Sequence, residues 1–207
     1  MESYMNRISN TGIVPVVKIL EKEDAYPLAK ALLNGGIDVI EVTYRSEHAT
    51  SAIQTISEQL PDMLVGAGTV LSVEQAKEAV EAGAKFIITP GFNTKVVQWC
   101  LDHDVEVYPG VSTASEVEMA LSMGLTQLKF FPAESSGGAK KLKDLSAPYA
   151  NVHFMPTGGI NTKNMHDYLS LPNVEAIGGS FMLPNDLVVA KDWDGIEALS
   201  KAAIKSL

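Results

Sequence analysis

The chain has 207 residues, 46% hydrophobic and 20% charged, with a formal net charge of -9 and one cysteine. That length allows one domain with a substantial core, and the acidic balance argues against nucleic acid or an anionic membrane surface as a partner. Cys100 alone makes no internal disulfide, no apolar run approaches membrane-spanning length, and MESYMNRISN has no basic stretch leading into an apolar core. A soluble cytoplasmic protein without a secretory signal is therefore expected.

After a short N-terminal helix, apolar runs of strand length are predicted at residues 13–17, 37–42, 63–67, 84–88, 105–108, 125–130, 152–155 and 174–177. Helix-period segments fall at 24–34, 46–59, 72–82, 94–101, 114–123, 139–145 and 162–169, and a last helix near 193–205. Nearly every strand is apolar on both faces, as parallel strands covered by helices are. Strict alternation of the two kinds of segment indicates βαβ units. Eight pairs close a barrel, whereas the rival, an open doubly wound sheet, lacks its glycine-rich fingerprint after the first strand. The predicted fold is α/β: a small (β/α)8 TIM barrel with a short N-terminal helix, one domain over residues 1–207.

Within GLTQLKFFPAESSGG at 124–138, Lys129 stands among Leu125, Leu128, Phe130 and Phe131. Burying a lysine depresses its pKa from about 10.4 toward neutrality, and a neutral amine attacks carbonyls to form a Schiff base. The competing reading is a strand-end lysine reaching solvent. The junctions NGGIDVIEV, EAGAKFIIT and SMGLTQLKF each pass through glycine into a strand, and five residues beyond the last glycine lie Glu41 in the first and Lys129 in the third. If the junctions are equivalent, both charges sit at one height near the C-terminal mouth, where barrels place their active sites. The two are read as partners on neighbouring strands, with a purely structural ion pair as the alternative. Alternation puts Val39, Glu41 and Thr43 on one face.

Lys18, Arg45, Thr69 and Thr89 fall at strand ends. Arginine offers a fork that suits a carboxylate. Taken singly, Arg45 also reads as a surface charge and Thr69 as a cap for the helix near Ser72. The last two strands end in PTGGIN and IGGSFM, and barrels hold phosphate in the loops after strands seven and eight. The candidate phosphate donors are Gly158, Gly159, Gly179 and Ser180. The four histidines show no metal-ligand spacing, and no metal or cofactor is expected. Cys100 reads as an inert buried thiol, His103 as solvated, Trp99 and Trp193 as packing or interface residues, and 21–24 as a solvated acidic helix start.

IEVTYR, VGAGTVL, TPGF, LKFFPAESSGG, PTGGI and IGGSF, in this order along nearly the whole chain, resemble the class I aldolases acting on 2-keto-3-deoxy-6-phosphogluconate and 4-hydroxy-2-oxoglutarate. The resemblance implies a homotrimeric barrel, a Schiff-base lysine at Lys129 and a proton-transferring glutamate at Glu41. It implies that Arg45 and Thr69 hold the pyruvate carboxylate and that Gly158, Gly159, Gly179 and Ser180 hold the phosphate; Lys18, Thr89 and Thr157 are candidate supporting residues. Thr89 stands where serine is common, and Ser135-Ser136 where Ala-Asn is usual. The substrate it implies is a phosphorylated keto acid, with no nucleic-acid or membrane partner. The alternatives are a phosphogalactonate-specific relative, a Lys/Glu sugar-phosphate epimerase, and a non-catalytic phosphometabolite-binding barrel.

Overall fold

The structure, a computed structural model, describes residues 4–207. The strands are β1 (Ile13–Val17), β2 (Val39–Thr43), β3 (Leu64–Gly68), β4 (Phe86–Ile88), β5 (Glu106–Tyr108), β6 (Gly110–Val111), β7 (Gln127–Phe130), β8 (His153–Pro156) and β9 (Ile177–Gly179). The helices are α1 (Tyr4–Thr11), α2 (Ala25–Asn34), α3 (Ala49–Gln59), α4 (Val73–Glu81), α5 (Thr94–Asp102), α6 (Ala114–Ser122), α7 (Gly138–Ser146), α8 (Met165–Leu169), α9 (Asn185–Ala190) and α10 (Trp193–Lys205). Side chains start several of them: Ser72 accepts from Gln75 N, Asn93 from Val96 N, and Thr113 forms a reciprocal capping box with Glu116. No helix among the described residues is long and apolar enough to cross a membrane.

All strand pairs are parallel, giving an α/β fold with a six-stranded sheet in the order β5-β4-β3-β2-β1-β9 and a three-stranded sheet, β6-β7-β8. The sheets meet twice. Only Pro109 separates β5 from β6, and an isolated bridge joins Thr157, just beyond β8, to Gly178 of β9.

Several boundaries differ from the predicted ones. The run at 105–108 continues past Pro109, which has no N–H to donate and splits it in two. The run at 174–177 is not one strand, because it changes partner along its length. Val174 bridges to Phe154, while Ile177 pairs with Ile13 of β1. Helix α8 begins at Met165, since Asn161 and Asn164 bond the preceding turn with their side chains. Helix α9 is a short element that no periodicity revealed. It also corrects the expectation of a solvated acidic start at 21–24 at one residue: residues 21–23 are exposed, but Asp24 is buried and lies 2.6 Å from Lys191 Nζ, at the end of α9.

Apolar packing forms two clusters. The larger lies between strands and helices, with Ile40, Val42, Val65 and Phe154 meeting Leu32, Ile53 and Leu142. The smaller comprises Val14, Val39, Leu64, Phe86, Ile88, Tyr108, Met155 and Ala176, closed by Met5 and Ile8 of α1. These are the alternate strand residues, so one face of the strands builds each cluster. Each fully buried side chain of this size contributes about 1.5–3 kcal/mol. Helix α1 thus seals the end at which the strands begin and leaves the other end for polar side chains.

Candidate active site

Glu41 is the third residue of β2 and Lys129 the third of β7. Glu41 stands in register with Val16 and Gly66, and Lys129 with Gly110 and Met155. Their strands are not neighbours, which corrects the expectation: the two side chains meet across the space between the sheets. The reason is alternation, which turns both residues toward the smaller cluster, above its apolar layer. Lys129 Nζ lies 3.2 Å from Glu41 Oε1, with side-chain exposures of 5% and 0%. Lys129 therefore does not reach solvent. Its Nζ also lies 5.2 Å from the centre of the Phe131 ring, whose face attracts a cation.

Room for the carboxylate comes from β3. A Cβ added to Gly68 would overlap Glu41 Oε1, so the strand end must be glycine there. The next residue, Thr69, is β-branched yet has φ of 53°, a backbone state that costs about 1–3 kcal/mol and clusters at functional sites. Thr69 is therefore a strained residue at the mouth; the helix cap is Ser72 instead.

Desolvating both charges offsets most of their attraction, so a buried pair is weak evidence for stability. Orphan atoms argue more strongly for function. Glu41 Oε2 and Thr157 Oγ1 are buried and have no hydrogen-bond partner, whereas nearly all buried polar atoms in folded proteins have one. Thr157 owes its position to Gly178, where any side chain would overlap its hydroxyl.

A cavity of about 160 Å³ joins the remaining candidates: Arg45, Phe131, Thr157, Gly158, Gly159, Gly179 and Ser180 line it. Arg45 and Ser180 also border an adjoining cavity of about 380 Å³ with Lys18. Arg45 Nε donates to Thr43 Oγ1 at 3.1 Å, and Thr43 in turn donates to Val17 O at 2.8 Å. Thr43 thus ties the guanidinium to the strand face that carries Glu41. Shared alternation with Glu41 was its only sequence signal. Phe131 gave none beyond its place beside the lysine.

Lys129, Glu41, Thr69 and Thr89 line neither of these two cavities. Thr69 sits beside the carboxylate's glycine. Buried Thr89 donates to Gly91 O at 2.7 Å and borders a separate groove with Leu71 and Phe92, so its hydroxyl shapes its own loop. Elsewhere, burial pushes the Cys100 thiol up to about 12, in keeping with an inert side chain. His103 is exposed, with its ring stacked on Trp99 at 4.5 Å.

A buried amine against a buried carboxylate, with anion donors a few residues away, is equipped to attack a carbonyl and move a proton. Comparison with known proteins points the same way. The family model "KDPG and KHG aldolase" matches residues 4–199. The chain is 44% identical over 205 residues to a 2-dehydro-3-deoxy-phosphogluconate aldolase of Treponema pallidum, covering 99% of this chain and 98% of that protein. It is 44% identical over 199 residues to the KHG/KDPG aldolase of Escherichia coli K12, covering 96% and 93%. A crystal structure of KDPG aldolase from Legionella pneumophila, with pyruvate captured as a covalent carbinolamine intermediate, superimposes with a TM-score of 0.94 at 40% identity over 98% of each chain.

Proposed function

We propose that this chain, which belongs to the KDPG and KHG aldolase family, cleaves 2-keto-3-deoxy-6-phosphogluconate to pyruvate and glyceraldehyde 3-phosphate through a Schiff base on Lys129. It is a carbon–carbon lyase, and 4-hydroxy-2-oxoglutarate is its second substrate. The observation that carries the reading is the Lys129–Glu41 contact of 3.2 Å beside an unpartnered Oε2.

Lys129 attacks the C2 carbonyl as the free amine, and the carboxylate at its side is placed to receive the ammonium proton. The carbinolamine hydroxyl takes that proton back from Glu41 and leaves as water, giving an iminium ion and restoring the carboxylate. Glu41 removes the C4 hydroxyl proton, the C3–C4 electrons move into the iminium, and the aldehyde leaves. Protonation of the resulting enamine at C3 by Glu41 and hydrolysis of the imine release pyruvate and restore Lys129. Arg45 and Thr69 receive the pyruvyl carboxylate; the bond that Arg45 Nε donates to Thr43 Oγ1, on the strand face of Glu41, supports this assignment. Gly158, Gly159, Gly179 and Ser180 receive the phosphate, with Lys18 and Thr157 in support and Thr89 shaping the neighbouring loop. Fixing both ends of the substrate converts remote binding into alignment of the reacting bond.

The chain acts as one domain in which β5 and β6 count as a single strand and the two sheets close into an eight-stranded barrel. The Thr157–Gly178 bridge and the single residue between β5 and β6 support that closure. The family resemblance supports a cytoplasmic homotrimer serving the Entner–Doudoroff route. The test is pyruvate with borohydride, which is expected to leave a stable adduct on Lys129 alone. Cleavage with Lys129 unmodified would refute the mechanism. A panel of the phosphogluconate- and phosphogalactonate-derived keto acids and 4-hydroxy-2-oxoglutarate, followed by pyruvate release, fixes the substrate order.

A further inference from the structure

The motif that contains Lys129 also carries a carboxylate, Glu134, to which the proposed reaction assigns no role. Glu134 follows Pro132-Ala133 and is exposed, and it does not line the cavity beside Arg45. Yet it is held from three directions. Its backbone N–H donates to Gly158 O at 3.1 Å, continuing a ladder in which Ala133 N donates to Thr157 O at 2.8 Å. Its carboxylate Oε1 accepts a hydrogen bond from the hydroxyl of Tyr168 in α8, a residue only 1% exposed. Its stem lies against Gly159, whose φ is 81°, and a Cβ on that glycine would come within 2.6 Å of Glu134 Cγ.

The far side of the same turn is pinned as well. Gly159 O accepts from Asn161 Nδ2 at 3.2 Å and from Asn164 Nδ2 at 3.1 Å. Gly159 is therefore clamped between two amide side chains that donate to its carbonyl and a glutamate stem that bears on its Cα, while the preceding carbonyl, Gly158 O, accepts from Glu134 N–H. Burial, reinforced by the Glu134 hydrogen bond and charge, raises the Tyr168 pKa, so its hydroxyl stays a donor throughout the working range of an enzyme.

We propose that Glu134 and Tyr168 are positioning residues for the Gly158–Gly159 turn and thereby set the preference for phosphorylated over unphosphorylated substrate. This rests on the reading of that turn as the phosphate site. A carboxylate so near a dianion is a cost unless something holds it away; Tyr168 holds its oxygen on the α8 side while the stem does the positioning. Tyr168→Phe frees the carboxylate, and Glu134→Ala removes the stem. Glu134→Gln keeps both the stem and an oxygen that accepts from Tyr168.

The experiment measures kcat and KM for 2-keto-3-deoxy-6-phosphogluconate and 4-hydroxy-2-oxoglutarate in all three variants. The expected result is a rise in KM for the phosphorylated substrate of roughly tenfold in Tyr168→Phe and Glu134→Ala, the size of one lost hydrogen bond to a charged group. The ratio of the two kcat/KM values falls with it, Glu134→Gln restores that ratio, and borohydride trapping of pyruvate on Lys129 persists. If both substrates weaken together, or the ratio stays at its original value in Tyr168→Phe, the pair does not position the turn. A parent chain with no preference for the phosphorylated substrate would instead refute the phosphate site itself, and this inference with it.

Discussion

The two ends of the strands both carry polar side chains and treat them in opposite ways. Where the strands begin, charges are half exposed and partnered. Arg7 Nε meets Asp38 at 2.7 Å with both side chains nearly two-fifths exposed, and Thr11 donates to the other Asp38 oxygen. Glu106 accepts from Tyr4 N at 2.9 Å and from the Tyr108 hydroxyl. Where the strands end, Lys129 and Glu41 are buried, one carboxylate oxygen has no partner, and Thr69 holds a strained backbone. Polar groups that cost little hold α1 in place. Polar groups that cost much are expected where chemistry offsets the cost, which is the role proposed for Lys129 and Glu41.

The largest effect that sharpens this contrast belongs to Glu41→Gln. Imine formation with pyruvate is expected to persist while cleavage falls about 10²–10⁴-fold, the contribution of a positioned general base. Borohydride labelling and pyruvate release measured on the same sample separate the two steps, and wild-type cleavage would place the proton transfer on another group. Next comes Ile8→Ala in the seal, expected to destabilise the fold by about 2–5 kcal/mol through cavity formation. Denaturant unfolding reads that loss, and kcat is expected to stay within about twofold because no reacting group is touched. The smallest effect is that of Arg7→Gln, whose partly exposed pair contributes about 1 kcal/mol or less. A loss of turnover from Ile8→Ala or Arg7→Gln without unfolding would break the division of labour between the ends.

Lys129 and Glu41 were legible from the chain because the anomaly is local. A charge three residues into a short apolar run implies burial, and burial of a charge implies a partner. The positive φ at Gly36, Gly83 and Gly124, which placed the two charges at one height, was equally local. The glycines at the ends of β8 and β9 read as a candidate anion site from their position in the alternating order; the structure gathers them with Arg45, and the anion they would hold belongs to the proposal. Glu134 lay in plain view within the same motif, but nothing near it in sequence mentions Tyr168, 34 positions away. Asp24 was misread for the same reason, since its cation arrives from α9.

Residue order alone therefore determined the α/β alternation, the face that Glu41 shares with Val39 and Thr43, and the identity of the two buried charges, because each follows from side-chain periodicity and the cost of desolvation within a few residues. Tertiary structure decided that β2 and β7 face each other without pairing, that Gly68 gives the carboxylate its room, and which side chains brace the Gly158–Gly159 turn. Those outcomes depend on how the sheets come together, and contacts between segments far apart in the chain have no signature in the periodicity of either one.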